Sequence, residues 1–262
     1  MGVILPEHGS LRRFCHDLAA TLLCWGYFLL AFVVFFWPFY VGATILPGER
    51  QARFQYLNHL YYRGFFRLLR HVAPGCRWQI DAGISTIHAA VVVANHLSYL
   101  DPLLMQSLFP RHKTVVKPAF FKVPVFGWVL WQAGYFPAGG SDGKYRQSMI
   151  GQMEEMKKFL EQGGVFFIFP EGHRSRDGQV GSLRLGAIKI ARLCDAPIEV
   201  LRLSGTDRLF PPGRFLFNAS GNHRISLTRI TRIPAGRHLS VSSLEQKIHQ
   251  ALSTDMNRTS TP

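Results

Sequence analysis

The sequence predicts an α/β protein: a largely parallel sheet flanked by helices, preceded by an N-terminal membrane-embedded helical segment. Three observations predict it. Residues 18–46 form a twenty-nine-residue run without a charge, and about 20 apolar residues of helix suffice to cross the hydrocarbon core of a bilayer. After Pro74-Gly75, short apolar runs alternate with stretches of helical period, the pattern of strand–helix–strand units. Two polar loops, 95–102 and 170–175, each follow directly on an apolar run. That is where open α/β sheets collect their chemistry.

Composition sets the limits. A chain of 262 residues that is 47% hydrophobic buries a sizeable core, which excludes wholesale disorder. Lys+Arg 30 against Asp+Glu 16 gives a net charge of +14. Residues 1–46 contribute nothing to that excess, because Arg12 and Arg13 balance Glu7 and Asp17. The remainder of the chain is therefore strongly basic and suits anionic partners: a phospholipid surface or an acidic carrier protein. Nucleic acid is not favoured, because no helix-turn-helix, zinc-finger or RNA-binding signature accompanies the arginines. Cys15, Cys24, Cys76 and Cys194 are scattered without a C-x-x-C pair, so neither a disulfide framework nor a zinc knuckle is expected.

Residues 1–73 read as the membrane-anchoring region. Within the apolar run Trp25, Trp37 and Tyr40 suit the headgroup level, and Pro38 leaves open one span or two re-entrant helices. Residues 50–71 repeat Phe54, Leu57, Tyr61, Phe65 and Leu68 at helical spacing, with Arg53, Arg63, Arg67 and Arg70 and no acid. The expectation is an interfacial helix, apolar face down in the lipid. Its arginines place the following domain on the cytoplasmic side.

Residues 74–253 form the globular domain, and 254–262 a polar tail. Expected strands are 78–83, 88–95, 114–116, 135–136, 165–169 and 198–203. Expected helices are 102–109, 126–133, 144–162 and 185–193. The run 88–95 is continuously apolar at its centre, which suits a parallel strand buried on both faces. Residues 202–237 carry seven arginines against Asp207 and read as a solvated basic face near anionic lipid.

His96 and Asp101 stand five apart across a strand-to-helix turn, within reach of an imidazole–carboxylate hydrogen bond. Removal of a hydroxyl proton by neutral imidazole needs such a pair, the carboxylate fixing the tautomer and stabilising the imidazolium. Asp101 before Pro102 also reads as a helix N-cap with proline at the first helical position. In the second loop Arg174, flanked by Gly172 and Ser175, suits bidentate capture of a phosphate. Glu171 is placed to orient that arginine or to receive a substrate hydroxyl.

The two motifs, N-H-x-x-x-x-D at 95–101 and F-P-E-G-x-R-S at 169–175, resemble those of the lysophospholipid acyltransferase family, typified by 1-acylglycerol-3-phosphate acyltransferase. The resemblance extends over roughly residues 85–210, including KPAFFKVPVFG at 117–127 and a fourth block at 196–206. It implies transfer of a fatty acyl group from acyl-CoA or acyl-carrier protein to a lysophospholipid hydroxyl, with 1-acyl-sn-glycerol-3-phosphate, giving phosphatidic acid, first among acceptors. His96 is then the catalytic base and Asp101 its orienter, while Lys117, Glu171, Gly172 and Arg174 bind the acceptor's head. Neither metal nor resident cofactor is implied. Two positions depart from the family pattern: Gly139 stands where an arginine is usual, and His173 replaces Thr or Ser. A different lysolipid acceptor therefore stays open. So does a membrane serine esterase, because residues 139–143 match G-x-S-x-G with Ser141 as nucleophile.

Overall fold

The computed structural model describes residues 8–138, 146–175, 181, 183–236 and 240–254. Ser141 and Gly139 lie outside them.

An uninterrupted helix opens the chain: α1 (His8–Gly26) passes through wide π-type turns at Tyr27–Phe36 into α2 (Trp37–Ile45). Pro38 therefore does not divide the run into two helices. Proline has no N–H and crowds the carbonyl four residues back. The preceding wide turns, in which the Trp37 N–H reaches the Phe32 carbonyl, absorb that misfit. The segment Leu11–Ile45 is 35 residues with a mean hydropathy of 2.2, long and apolar enough to cross a membrane.

The next helix, α3 (Arg50–Val72), corrects one expectation. Its apolar residues Phe54, Tyr61, Phe65 and Leu69 are buried inside the protein, so it does not lie apolar face down in lipid. Amphipathic periodicity cannot tell a lipid neighbour from a protein one, and here the neighbours are the N-terminal helix and a later helix, Leu100–Leu108. Tyr27 and Phe28 pack on Tyr61 and Phe65, and the Tyr40 hydroxyl donates to Asn58 Oδ1 at 2.5 Å. Tyr40 is thus buried, not at a headgroup level. Arg53 caps the end of α2, donating to the carbonyls of Ala43, Leu46 and Pro47.

The sheet follows. Its strands are β1 (Cys76–Ile80), β2 (Ala90–Ala94), β3 (His112–Val116), β4 (Phe136–Pro137), β5 (Val165–Ile168), β6 (Ile198–Ser204) and β7 (His223–Ile233), in the order β1-β7-β6-β2-β5-β3-β4. All neighbouring pairs are parallel except β6 with β7. The helices between them are α4 (Leu100–Leu108), α5 (Pro118–Phe121), α6 (Phe126–Gln132), α7 (Arg146–Glu161), α8 (Gly186–Leu193), α9 (Thr206–Leu209) and α10 (Val241–Thr254). Strand β7 and helices α5, α9 and α10 are absent from the expectations above. Every other predicted strand and helix is present, with ends shifted by a few residues. Residues 82–86 leave β1 and form a 3-10 turn.

Alternation along the strands divides the core into two layers. Ala90, Val92 and Ala94 of β2 face a cluster with Leu69 of α3, Leu104 of α4 and Ala20 and Cys24 of α1. Val91 and Val93 face the opposite cluster, with Ile188 of α8, Met156 of α7 and Ile248 of α10. The arginines of β7 are not simply a solvated basic face. Arg229 donates two bonds of 2.7 Å to Glu199, which is buried on β6.

Candidate active site

Strand β2 lies centrally between β5 and β6, and the two polar loops leave the C-terminal ends of β2 and β5 side by side. Val93 of β2 pairs with Ile168 of β5, which brings His96 level with Glu171. Three bonds set the end of β2. Asn95 donates through Nδ2 to the Leu203 carbonyl and accepts the Leu203 N–H on Oδ1, at 2.9 and 2.7 Å, continuing the ladder to β6 through a side chain. The His96 carbonyl accepts the Ser175 N–H at 2.8 Å, which ties in the second loop.

The chain then turns into α4, and Asp101 in its first turn folds back on that turn. Oδ2 accepts the N–H groups of Leu97 and Ser98 at 2.6 and 2.7 Å, and His96 Nδ1 at 2.9 Å. Oδ1 accepts the Thr206 hydroxyl at 2.6 Å. Asp101 does not act as an N-cap, since α4 begins one residue before it and its carboxylate binds upstream N–H groups. The carboxylate is fully buried, and four donors satisfy it without water. An ionised carboxylate only accepts, so His96 Nδ1 carries the proton and Nε2 presents a lone pair. The imidazole lies against Phe169 at 4.4 Å between ring centroids, with 17% of its side chain exposed. The group is thus oriented and reachable, the arrangement a general base requires.

Thr206 is the residue that sequence reasoning missed. It stands at the start of α9, after Gly205, whose φ of 81° is left-handed and whose position leaves no room for a Cβ against the Arg224 carbonyl. Glycine is the residue that takes this conformation without strain, and the sharp turn delivers the Thr206 hydroxyl from the end of β6 to a carboxylate on α4. The Ser98 hydroxyl adds a second tie, donating to the Phe210 carbonyl at 2.9 Å.

In the second loop Glu171 is buried, and its carboxylate accepts the His96 N–H at 3.1 Å and the Gly181 N–H at 3.4 Å. Burial pushes its pKa up, against the two backbone N–H groups that pull it down. Its oxygens thus tie the two loops together and form no ion pair with Arg174 among the described residues. Gly172, at φ 70°, is also left-handed, and a Cβ there would run into Arg184. Arg174 Cζ lies over the Tyr99 ring, 3.7 Å from its centroid, a close cation–π contact. Its buried Nη1 has no hydrogen-bond partner. A guanidinium so placed, with one nitrogen unpaired, suits an anionic partner. Lys117 follows β3 at the same end of the sheet, exposed. Among the described residues no ion pair joins it to Glu171 or Asp101.

Residues 78–202 match the family model for acyltransferases. This stretch is similar to the acyltransferase family. It contains His96, Asp101, Lys117, Glu171, Gly172 and Arg174, while Thr206 lies just past its end. The chain is 32% identical over 136 residues to the chloroplastic 1-acyl-sn-glycerol-3-phosphate acyltransferase LPAT1 of Arabidopsis thaliana, covering 52% of this chain and 37% of that protein. It therefore spans little more than a third of that relative. With the 1-acyl-sn-glycerol-3-phosphate acyltransferase of Pseudomonas aeruginosa it shares 27% identity over 177 residues, 66% of each chain. The fold of the sheet domain and its preceding helices is similar to that of the LPA acyltransferase PlsC from Thermotoga maritima. The TM-score is 0.70 at 20% identity, over 95% of this chain and 99% of that one.

Proposed function

We propose that this chain is a membrane-bound acyltransferase that moves a fatty acyl group from an acyl thioester to a lysophospholipid hydroxyl. The acceptor is 1-acyl-sn-glycerol-3-phosphate, and the donor is acyl-CoA or acyl-carrier protein. The observation that carries the proposal is the buried Asp101, bonded by four donors, holding His96 with its imidazole partly exposed, together with the unpaired Nη1 of Arg174 on the adjoining loop. The relatives' shared description as 1-acyl-sn-glycerol-3-phosphate acyltransferases supports the acceptor.

In this reading His96 Nε2 takes the proton of the acceptor hydroxyl as its oxygen attacks the thioester carbonyl. The tetrahedral intermediate collapses, the C–S bond breaks, and the thiolate leaves with the proton from His96. Asp101 stabilises the imidazolium between these steps. Arg174 binds the phosphate through its free N–H groups, and Lys117 adds charge at the same end of the sheet. Glu171 and Gly172 shape the loop that presents Arg174. No resident cofactor takes part, only the thioester co-substrate. The apolar helix Leu11–Ile45 holds the domain at the membrane, on the cytoplasmic side.

The test is acyl transfer by purified protein in detergent, with a thioester donor and a panel of lysolipids, products being read by mass spectrometry. His96→Ala should lose about 10²–10⁴ of the rate. Activity of His96→Ala equal to the unaltered chain sinks the proposal.

A further inference from the structure

The segment between β3 and β4 carries an apolar surface that the chemistry above does not use. Residues 117–125 are exposed apart from Phe121, and among them Phe120, Val123 and Val125 are 40%, 45% and 44% exposed. Trp131 on α6, packed at 4.6 Å on Phe121, is 52% exposed. Single exposed apolar residues are ordinary on protein surfaces, whereas a contiguous group marks a contact.

The tip between α5 and α6 is held rather than floppy. Val125 has φ 65° and ψ −56°, and the Phe126 N–H reaches the Pro124 carbonyl at 2.7 Å. This is a γ-turn, strained for a β-branched residue, and it projects Val123 and Val125 outward. Lys117 and Lys122 flank the tip, both exposed. Residues 112–134 contain no Asp or Glu. An apolar tip with a purely cationic border matches an anionic leaflet, with apolar side chains among the acyl chains and ammonium groups at the phosphates. The tip is also joined to the apolar N-terminal helix: Trp128 of α6 packs on Trp37 at 5.4 Å and on Phe54. Helix α2 exposes Phe39 and Ile45, and Leu46 just past its end is exposed as well.

We propose that the α5–α6 turn is a second membrane contact, in which Phe120, Val123, Val125 and Trp131 enter one anionic phospholipid leaflet while Lys117 and Lys122 hold its phosphates. It fixes the C-terminal end of the sheet, where His96 lies, against the leaflet that holds the acceptor. This deepens the acyltransferase reading and rests on it only for the identity of the substrate.

The experiment uses the full chain with Cys15→Ser and Val125→Cys, labelled at residue 125 with an environment-sensitive fluorophore. Lys158→Cys, exposed on α7, serves as the comparison site. The probe is a vesicle of phosphatidylcholine with phosphatidylglycerol. A nitroxide on the lipid acyl chain should quench the label at 125 several-fold more than the label at 158, and vesicles should shield position 125 from iodide. A label at 125 that iodide still reaches on vesicle-bound protein overturns the proposal. So does failure to bind vesicles, or shielding by an acidic carrier protein but not by vesicles. As a second variant, Val123→Asp with Val125→Asp should reduce turnover of vesicle-borne acceptor about tenfold and leave turnover in detergent micelles within about twofold. Equal loss in both media overturns the proposal. An active His96→Ala chain would refute the acyltransferase reading and leave the quenching result standing.

Discussion

Replacing Thr206 by Val removes one hydroxyl from a fully buried site. The two side chains are similar in size, so no cavity forms and the chief change is the lost 2.6 Å bond to Asp101 Oδ1. Both residues are fully buried, which leaves one carboxylate oxygen without a donor among the described residues. A hydrogen bond to a charged group is worth about 1.5–3 kcal/mol, so unfolding free energy should fall by that amount. The carboxylate is then anchored through Oδ2 alone and its plane is free to swing, which spoils the orientation of His96. If about 1.4 kcal/mol of the loss reaches the transition state, kcat falls about tenfold. Thr206 is fully buried and bonds the carboxylate oxygen that does not reach the imidazole, so KM for the lysolipid should stay within about twofold. Thr206→Ser keeps the hydroxyl and should restore both rate and stability. Steady-state kinetics in detergent, paired with chemical denaturation, read all of these. Wild-type kcat in Thr206→Val, or a loss carried by KM and not rescued by serine, refutes the reasoning.

Further outcomes follow from other parts of the molecule. Arg174→Lys replaces a planar fork with a point charge and should raise KM for a phosphorylated acceptor about tenfold, with little change for an acceptor lacking the phosphomonoester. Arg229→Met strips the bidentate partner from buried Glu199 and should cost about 3 kcal/mol in denaturation, much of it recovered when Glu199→Met is added. Burial lowers the pKa of His112, on β3, to about 3, with Nδ1 bound to the Phe109 carbonyl and Nε2 to the Tyr135 hydroxyl. The unfolded chain binds this proton near pH 6.5, so unfolding free energy is full above that value and falls as pH drops toward 3. His112→Gln should flatten this acid limb in melting experiments across that window, and an unchanged limb assigns it elsewhere.

Much of the site was legible because its members are close in sequence. His96 and Asp101 share one turn, and Glu171 to Arg174 share another. The apolar run at 88–95 announced the buried strand that supports the first turn. Thr206 was not legible, since it stands 105 positions from Asp101 and only the order of strands brings the two together. Strand β7 was hidden by its own arginines. Ile225, Leu227 and Ile233 are buried, but the intervening cations read as a solvated stretch until Glu199 is placed beside them. Asn95 was visible as the first residue of the 95–101 motif, but its role was not, because a side chain that continues a ladder resembles any loop asparagine. For α3 the period was right and the surroundings were not: aromatic residues that suit lipid suit a neighbouring helix equally well.

Ala20 and Cys24 of the N-terminal helix sit in the same core as Phe217 and Leu209, and Asp17 accepts the Ser220 N–H at 2.7 Å. A flexible tether would give its cargo a radius of search and many angles of approach. Here the attachment is one wall of the folded domain, so on the membrane-bound reading proposed above its heading relative to the bilayer is set when the chain folds. On that reading, encounter with a lipid is a matter of gliding in two dimensions with the opening already aimed. Cutting the attachment away would not release a soluble catalyst, because it would strip the core of one side.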